Sequence, residues 1–339
     1  MWIGTQDGLN RFDGYSFVDY KPDVEDTTSI SGNSVRAVVS DNFGNLWVGT
    51  RTGFCRYNRA ANNFVRYPSG IGDAGPISDA VTDMEEDREG NIWIGTLDKG
   101  LSVFDPKTGK FIHYSAASGS GSSLCGDDVR GISCAPDGHI WISTWAHGIC
   151  EFNPKSKQFT SYHEGAGQLN YPNVRGGIFA ARSGKIYIGT WGKGMNEWNP
   201  ATQTMRYISV SGNMEDPRGM IWNICEDLLG RIWCATAETG LFMYDPATEK
   251  TARYTNDISD PSSINDNNIW SVGIDRSNHI WCGGWQGGVN VLNEKISAFT
   301  HFRYNPYDAT ALPAPAIWSF CTDGADGIWV GTGGGPVHY

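Results

Sequence analysis

No run of about 18 apolar residues occurs in this 339-residue chain, so no segment of it reads as a membrane-crossing helix. The first residues carry neither the basic nor the apolar region of a secretory leader. Charge is scarce as well, at 19% of residues, and the formal balance of −11 includes no Lys/Arg run. A phosphate backbone has nothing to track, which argues against a nucleic-acid partner. Phosphate-loop, HExxH and GxSxG signatures are missing. The eight cysteines form no CxxC pair, which argues against a zinc site, and most lie in apolar runs where a free thiol packs as a small hydrophobe. No metal or cofactor is implied, and no spacing assigns disulfides. Helical periodicity is absent throughout.

Turn formers and aromatics are abundant instead: 43 Gly, 14 Trp, 14 Tyr and 14 Phe. They are periodic. A tetrapeptide led by an aromatic recurs at Trp2, Trp47, Trp93, Trp141, Tyr187, Trp233, Trp281 and Trp329, at intervals of 45 to 48 residues. Each period holds four short strand-like runs, as in "NSVRAVVSD", "NLWVGT", "GFCRYN" and "NNFVRY" of residues 33–67. Between the first two, Asp precedes Gly by three residues (Asp41 and Gly44, Asp87 and Gly90, Asp227 and Gly230). Asp caps such a turn and Gly supplies positive φ. A later turn reads Asp-Pro or Asn-Pro, as at Asp105-Pro106 and Asn153-Pro154. Four antiparallel strands per period of this length describe a propeller blade.

Seven copies of the first strand, beginning near Asn33, Asp79, Asp128, Asn173, Arg218, Asn267 and Pro315, predict an all-β, seven-bladed β-propeller of four-stranded antiparallel blades. The repeats run near 1–32, 33–78, 79–126, 127–172, 173–217, 218–266, 267–314 and 315–339, within one domain over 1–339. The terminal pieces are expected to share a closing blade, with the first strand around Ile317 to Cys321 joining strands two to four from the N-terminus. Residues 329–332 offer a second copy of strand two, so the chain reads as a fragment of a longer propeller array.

The copies "LWVGTRTGFCRYN", "IWIGTLDKGLSVFDP" and "MWIGTQDGLNRFDGYSF", with D-x-x-G closing the first strand, resemble the two-component regulator propeller repeats. The resemblance implies the periplasmic sensor half of a hybrid two-component system. Such a sensor is not an enzyme in this part, and its full-length form carries a further β-domain, a membrane helix and a histidine kinase. It detects oligosaccharides released from polysaccharides. It also implies a homodimer, or packing against an adjacent propeller or β-domain, as further partners. The expected location is periplasmic, with no membrane contact by this segment.

The repeat aromatics and Trp198 are assigned to the core between blades, since only blade packing accommodates so periodic a set. Six tryptophans remain. Trp145, Trp191 and Trp285 follow strand two, while Trp222, Trp270 and Trp318 lie near the start of strand one. In an up-and-down blade both places lie at the same end, so the six are expected on one rim. The strand-one column also carries Arg36 and Arg130, with Arg175 displaced by one, and His147 and Lys193 stand beside two of the loop tryptophans. Indole faces take the apolar face of a pyranose, and guanidinium groups fork onto hydroxyls or carboxylates. These eleven residues are the candidate oligosaccharide contacts. Against them stands plain packing between inner strands for Trp222, Trp270 and Trp318.

Catalysis is weakly supported. Carboxylates gather in "DMEEDREG" (83–90), at the end of strand one away from the aromatics, so an acid/base pair would lack a platform. No catalytic residue is assigned. "NDISDPSSINDN" (256–267) lacks calcium-loop spacing and reads as solvated turns. A carbohydrate-active hydrolase or lyase and a protein-interaction scaffold stand as the alternatives to a sensor.

Overall fold

The computed structural model describes residues 2–5, 8–12, 17–70, 72–116, 123–165, 169, 173–210, 219–275, 277–285, 288–293, 298–302, 316–322, 328–332 and 335–338. Among these are thirty strands and one short 3-10 turn at Gly72–Ala74. Six sheets have four strands in the order 1-2-3-4: blade 1 (35–67), blade 2 (81–114), blade 3 (129–162), blade 4 (174–208), blade 5 (221–254) and blade 6 (269–302). The four-strand period is thus as expected, but the count of complete blades is six, not seven. The closing blade fails to form as expected. Ile317–Thr322 pairs with Ile328–Thr332, its own neighbour in the chain, giving a three-stranded sheet with Gly335–His338. Trp2–Thr5, Gly8–Phe12 and Phe17–Tyr20 form a separate three-stranded sheet. The physical reason is competition between two copies of strand two, in which a short hairpin closes at less entropic cost than a pairing of chain ends.

The residues fall into two compact units. One joins Met1–Lys21, Asn33–Val35 and Arg218–Tyr339, and the other Pro22–Gly32 and Arg36–Pro217. In blades 1 to 6 every residue of strand two is buried, whereas strand four of blade 3, Gln158–Tyr162, has no buried residue. Strand two therefore supplies the core of each sheet. Trp47, Trp93, Trp141 and Trp233 each sit in an apolar cluster shared with the following blade. A tyrosine ending strand four completes the joint. Tyr67, Tyr114 and Tyr162 lie 5.2, 5.4 and 5.2 Å from Phe104, Phe152 and Trp198 of the next blade.

An indole buried this deeply brings its N–H with it. In four blades the turn aspartate accepts it: Trp47, Trp93, Trp233 and Trp281 donate to Asp41, Asp87, Asp227 and Asp275 at 2.8, 2.8, 3.0 and 3.0 Å. The other oxygen of Asp41 takes the backbone N–H groups of Phe43 and Asn45, at 3.0 and 2.7 Å. Gly44 closes that turn at φ 79°. Blades 3 and 4 have Ala135 and Ala181 where the aspartate would stand. There strand three supplies the carboxylate instead. Glu151 accepts the Tyr162 hydroxyl at 2.8 Å and pairs with His139, while Glu197 accepts Tyr187 Oη and Lys185 Nζ, both at 3.0 Å.

The free edges of the inner strands of blades 3, 4 and 6 are capped by side chains of the preceding blade. Asp83 Oδ2 takes the N–H of Ile132 at 2.8 Å, Asn223 Oδ1 that of Val272 at 3.1 Å, and Ser133 Oγ that of Ala180 at 3.0 Å. Glu85 receives the N–H of Cys134. Burial in this seam pushes the Asp83 carboxyl up to about 7 and that of Glu85 to about 8, the second helped by the neighbouring Asp83.

The segments entering blades 1 and 6 are clipped to the outer strands of those blades. Arg66 Nε donates to Ser29 O at 2.7 Å, and His301 Nε2 meets Ser263 O at 2.6 Å. Four residues before the first strand, a second clip reaches strand three: Ile77 N to Ser102 Oγ at 2.9 Å and Asn265 N to Asn290 Oδ1 at 2.9 Å. Blade 3 makes this clip covalent, as the Cys125–Cys150 disulfide with Cα atoms 5.9 Å apart. The Asp257 and Asp260 carboxylates accept from Ser259 and Ser262, as solvated turns do.

Asp41→Ala strands a buried indole N–H and two turn amides, an expected loss of about 2–4 kcal/mol. Asp137→Ala, which frees only the exposed His139 amide, is expected to cost under about 1 kcal/mol. Urea unfolding compares the two, and equal costs would remove the indole bond from its central place.

Asp83 and Glu85 hold protons in the folded chain that the unfolded chain has released above about pH 4.5. Stability from this seam is therefore full below that pH and is lost as pH rises through about 7 to 8. Urea midpoints measured from pH 5 to 8.5 are expected to fall more steeply in the native chain than in an Asp83→Asn/Glu85→Gln variant. Parallel curves would refute it.

Candidate functional site

The residue after strand two donates its N–H to the residue just before strand one: Trp145 to Asp128, Trp191 to Asn173 and Trp285 to Asn268, each at 2.9 Å. This bond brings the two sequence positions to one end of a blade. In blades 2 and 5 the same bond runs from Leu97 and Ala237, so indoles are supplied only by particular blades.

In blades 3 and 4 the result is a compact cluster. Trp145 and Trp191 meet edge to face, with centroids 5.2 Å apart and planes at 88°. Both are half-buried. The Arg130 guanidinium lies 5.7 Å from the Trp145 centroid. Asp128 fixes it there, with Nη2 donating at 2.7 Å and Nε at 2.6 Å from the other oxygen. His147 is exposed, with Nδ1 2.9 Å from the Trp145 carbonyl, and its ring packs on Gly126, where a Cβ would come within 2.9 Å. Lys193 is half-buried on the corresponding loop of blade 4.

Blades 5 and 6 build a different arrangement. Trp222 and Trp270 stack at 4.7 Å and 18°, and Trp270 and Trp285 at 4.4 Å and 25°. Two rings cannot share one face at those separations, so both faces of Trp270 are taken. Its Nε1 donates to Asn268 at 3.0 Å. Packing between inner strands accounts for Trp270, and a sugar at this cluster would meet Trp222 or Trp285.

Each cluster belongs to one unit of the fold. Arg36 is exposed on the first strand of blade 1. Arg175 lies on Val174–Ala180 and Trp318 on Ile317–Thr322, but their side chains are outside the described residues. Asp128 and Asn268 were not anticipated. Their signal is an acid or amide two residues before the strand-one Arg or Trp. Asp83 and Glu85, the carboxylates of the acidic stretch, are bonded to backbone N–H groups in the seam between blades 2 and 3.

Among the described residues no helix is long and apolar enough to cross a membrane. Over 31 residues, 9% of this chain and 2% of the other, the sequence is 58% identical to histidine kinase P4 of Formosa agariphila. The fold is similar to the extracellular domain of the hybrid two component system BT3049 from B. thetaiotaomicron, with a TM-score of 0.75, 22% identity, and coverage of 90% of this chain and 39% of that one. It is also similar to virginiamycin B lyase from Staphylococcus aureus, with a TM-score of 0.66, 12% identity, and coverage of 90% and 93%. At such identities the likeness establishes the propeller fold, and the chain spans under half of the BT3049 extracellular domain it matches. Residues 29–52 and 75–98 match the model described as "Two component regulator propeller", so two of the blades carry copies of that repeat.

Proposed function

We propose that this chain is the extracytoplasmic, non-catalytic recognition propeller of a hybrid two-component sensor, and that it takes a glycan-derived oligosaccharide at the Trp145–Trp191 cluster. The full protein carries a histidine kinase, and the propeller works on the periplasmic side. The observation carrying this reading is the pair of half-buried indoles at right angles, held on backbone-tied loops beside a guanidinium that Asp128 has fixed in place. Two perpendicular indoles cradle a pyranose on its face and its edge, and the remaining guanidinium donors reach hydroxyls or a uronate carboxylate. Trp222 and Trp285 serve as a second aromatic platform, and Arg36, Arg175, His147, Lys193 and Trp318 as peripheral contacts. Packed blades deform little, so a signal would leave by rigid-body displacement against a neighbouring domain or a second copy.

Calorimetric titration with a panel of neutral and uronate-containing oligosaccharides tests this. At least one member is expected to bind, with affinity falling about tenfold or more in Trp145→Ala and Trp191→Ala. Trp270→Phe is expected to bind within about twofold of the native chain. Equal binding by all four proteins would sink the assignment, and release of new reducing ends by the native chain would sink the non-catalytic reading.

A further inference from the structure

On the side of each blade that meets the next, strands two, three and four contribute one side chain each to a row near the turn end. In blade 1 the row is Trp47, Arg56 and Val65, and in blade 3 it is Trp141, Glu151 and Thr160. Blade 4 has Tyr187, Glu197 and Arg206 there, and blade 5 has Trp233, Met243 and Ala252. The middle member is long in all four. Arg56 carries its guanidinium to 5.8 Å from the Trp47 centroid, and Glu197 reaches the Tyr187 hydroxyl.

Blade 6 has Val291 as its middle member, as blade 2 has Val103. Blade 2 adds an exposed apolar residue on strand four. Its row is Trp93, Val103 and Ile112, apolar throughout, and Val103 is too short to cover the aromatic end of the groove. A cleft of about 860 Å³ opens there between blades 2 and 3. Trp93, at 3% exposure, forms its floor, and Ile112, at 56%, stands at its mouth. Tyr114, stacked on Trp93 at 6.3 Å, has no hydrogen-bond partner for its hydroxyl among the described residues, whereas its counterpart Tyr162 donates to Glu151.

The rim is charged, and its charges are unequally engaged. Asp87 and Asp105 are spent on their own turns, Asp137 on the His139 amide, and Asp73 lies 3.8 Å from Lys110. Arg88 lies against Gly138 of blade 3, and Lys155 and Lys157 come from the hairpin of the same blade. Those three cations form no ion pair among the described residues, and of the five carboxylates that share the lining Glu89 is the one whose side chain has no hydrogen bond or ion pair there.

We infer that the cleft between blades 2 and 3 binds a small amphipathic organic anion, its apolar ring on Trp93, Val103 and Ile112 and its carboxylate among Arg88, Lys155 and Lys157. Its volume lies in the range of about 300–1,000 Å³ usual for small-molecule sites, and a carboxylate gains charge-assisted bonds at such a rim. The site lies at the turn end of the blades, away from the loops that carry Trp145 and Trp191, so either reading stands or falls without the other.

The probes are 2-naphthoate and uncharged 2-naphthylmethanol, titrated calorimetrically into the full chain. Naphthoate is expected to saturate below roughly 1 mM and the alcohol to bind about tenfold more weakly. Val103→Arg, which copies the plug of blade 1, is expected to lose about tenfold or more, and Lys155→Gln/Lys157→Gln about threefold to tenfold. Ile112→Glu, at an exposed position, provides a second block should Val103→Arg fold poorly, and it too is expected to weaken naphthoate about tenfold. The inference is overturned if naphthoate fails to saturate by roughly 10 mM, if the alcohol binds as well, or if Ile112→Glu binds as the native chain does.

Discussion

The buried indole N–H of strand two is the constraint around which the blades are arranged. A large aromatic at that place supplies the contact that holds one blade to the next, yet it takes a donor into a region with no water to receive it. The chain meets this need with a carboxylate at Asp41, Asp87, Asp227 and Asp275, and that carboxylate is at once the cap of the turn between strands one and two. One side chain thus fixes hairpin and core together. Where Ala135 and Ala181 remove it, Glu151 and Glu197 appear on strand three, and in blade 4 Trp itself gives way to Tyr187. In blade 4 that carboxylate takes the Tyr187 hydroxyl, whereas in blade 3 it takes the hydroxyl of Tyr162 at the end of strand four.

The same logic governs the inner edges. A strand-one edge presents alternate N–H groups with no strand to receive them, and Asp83, Ser133 and Asn223 receive them from the blade before. Asn223 holds with an amide what Asp83 holds with a carboxyl. A protonated carboxyl is nearly the shape of an amide, and burial favours that neutral form of Asp83 up to about 7. The acidic stretch that might have suggested catalysis is, on this account, a seam.

Much of this was legible in the sequence because the period is carried by residues whose roles are local. The Asp-x-x-Gly turns, the Trp-led strands and the indoles that follow them could all be placed from spacing alone. The link from turn aspartate to indole was not, because it spans six residues and shows only when turn and strand are read as one hairpin. The strand-four tyrosines escaped notice because their partners lie one blade away. Cys125 and Cys150 belong to a position pair whose other occupants are Ile77 with Ser102 and Asn265 with Asn290, so their pairing is visible only once the blades are superposed. The blade count erred for another reason. Two copies of strand two compete for the strand at Ile317–Thr322, and repeat spacing does not say which wins.

Sites in such a scaffold arise where one blade departs from the pattern of its neighbours. Leu97 and Ala237 occupy the loop position that Trp145, Trp191 and Trp285 fill elsewhere, and the Trp145–Trp191 cluster exists only because blades 3 and 4 are adjacent and both carry indoles there. Val103 stands where Arg56, Glu151, Glu197 and Met243 supply longer side chains, and with the exposed Ile112 beside it, it lines the cleft between blades 2 and 3. In both cases the repeat fixes backbone and core so firmly that a change of one side chain alters the surface and little else. The fold's regularity therefore makes its exceptions interpretable, since each can be compared with the same position several times over in the same molecule.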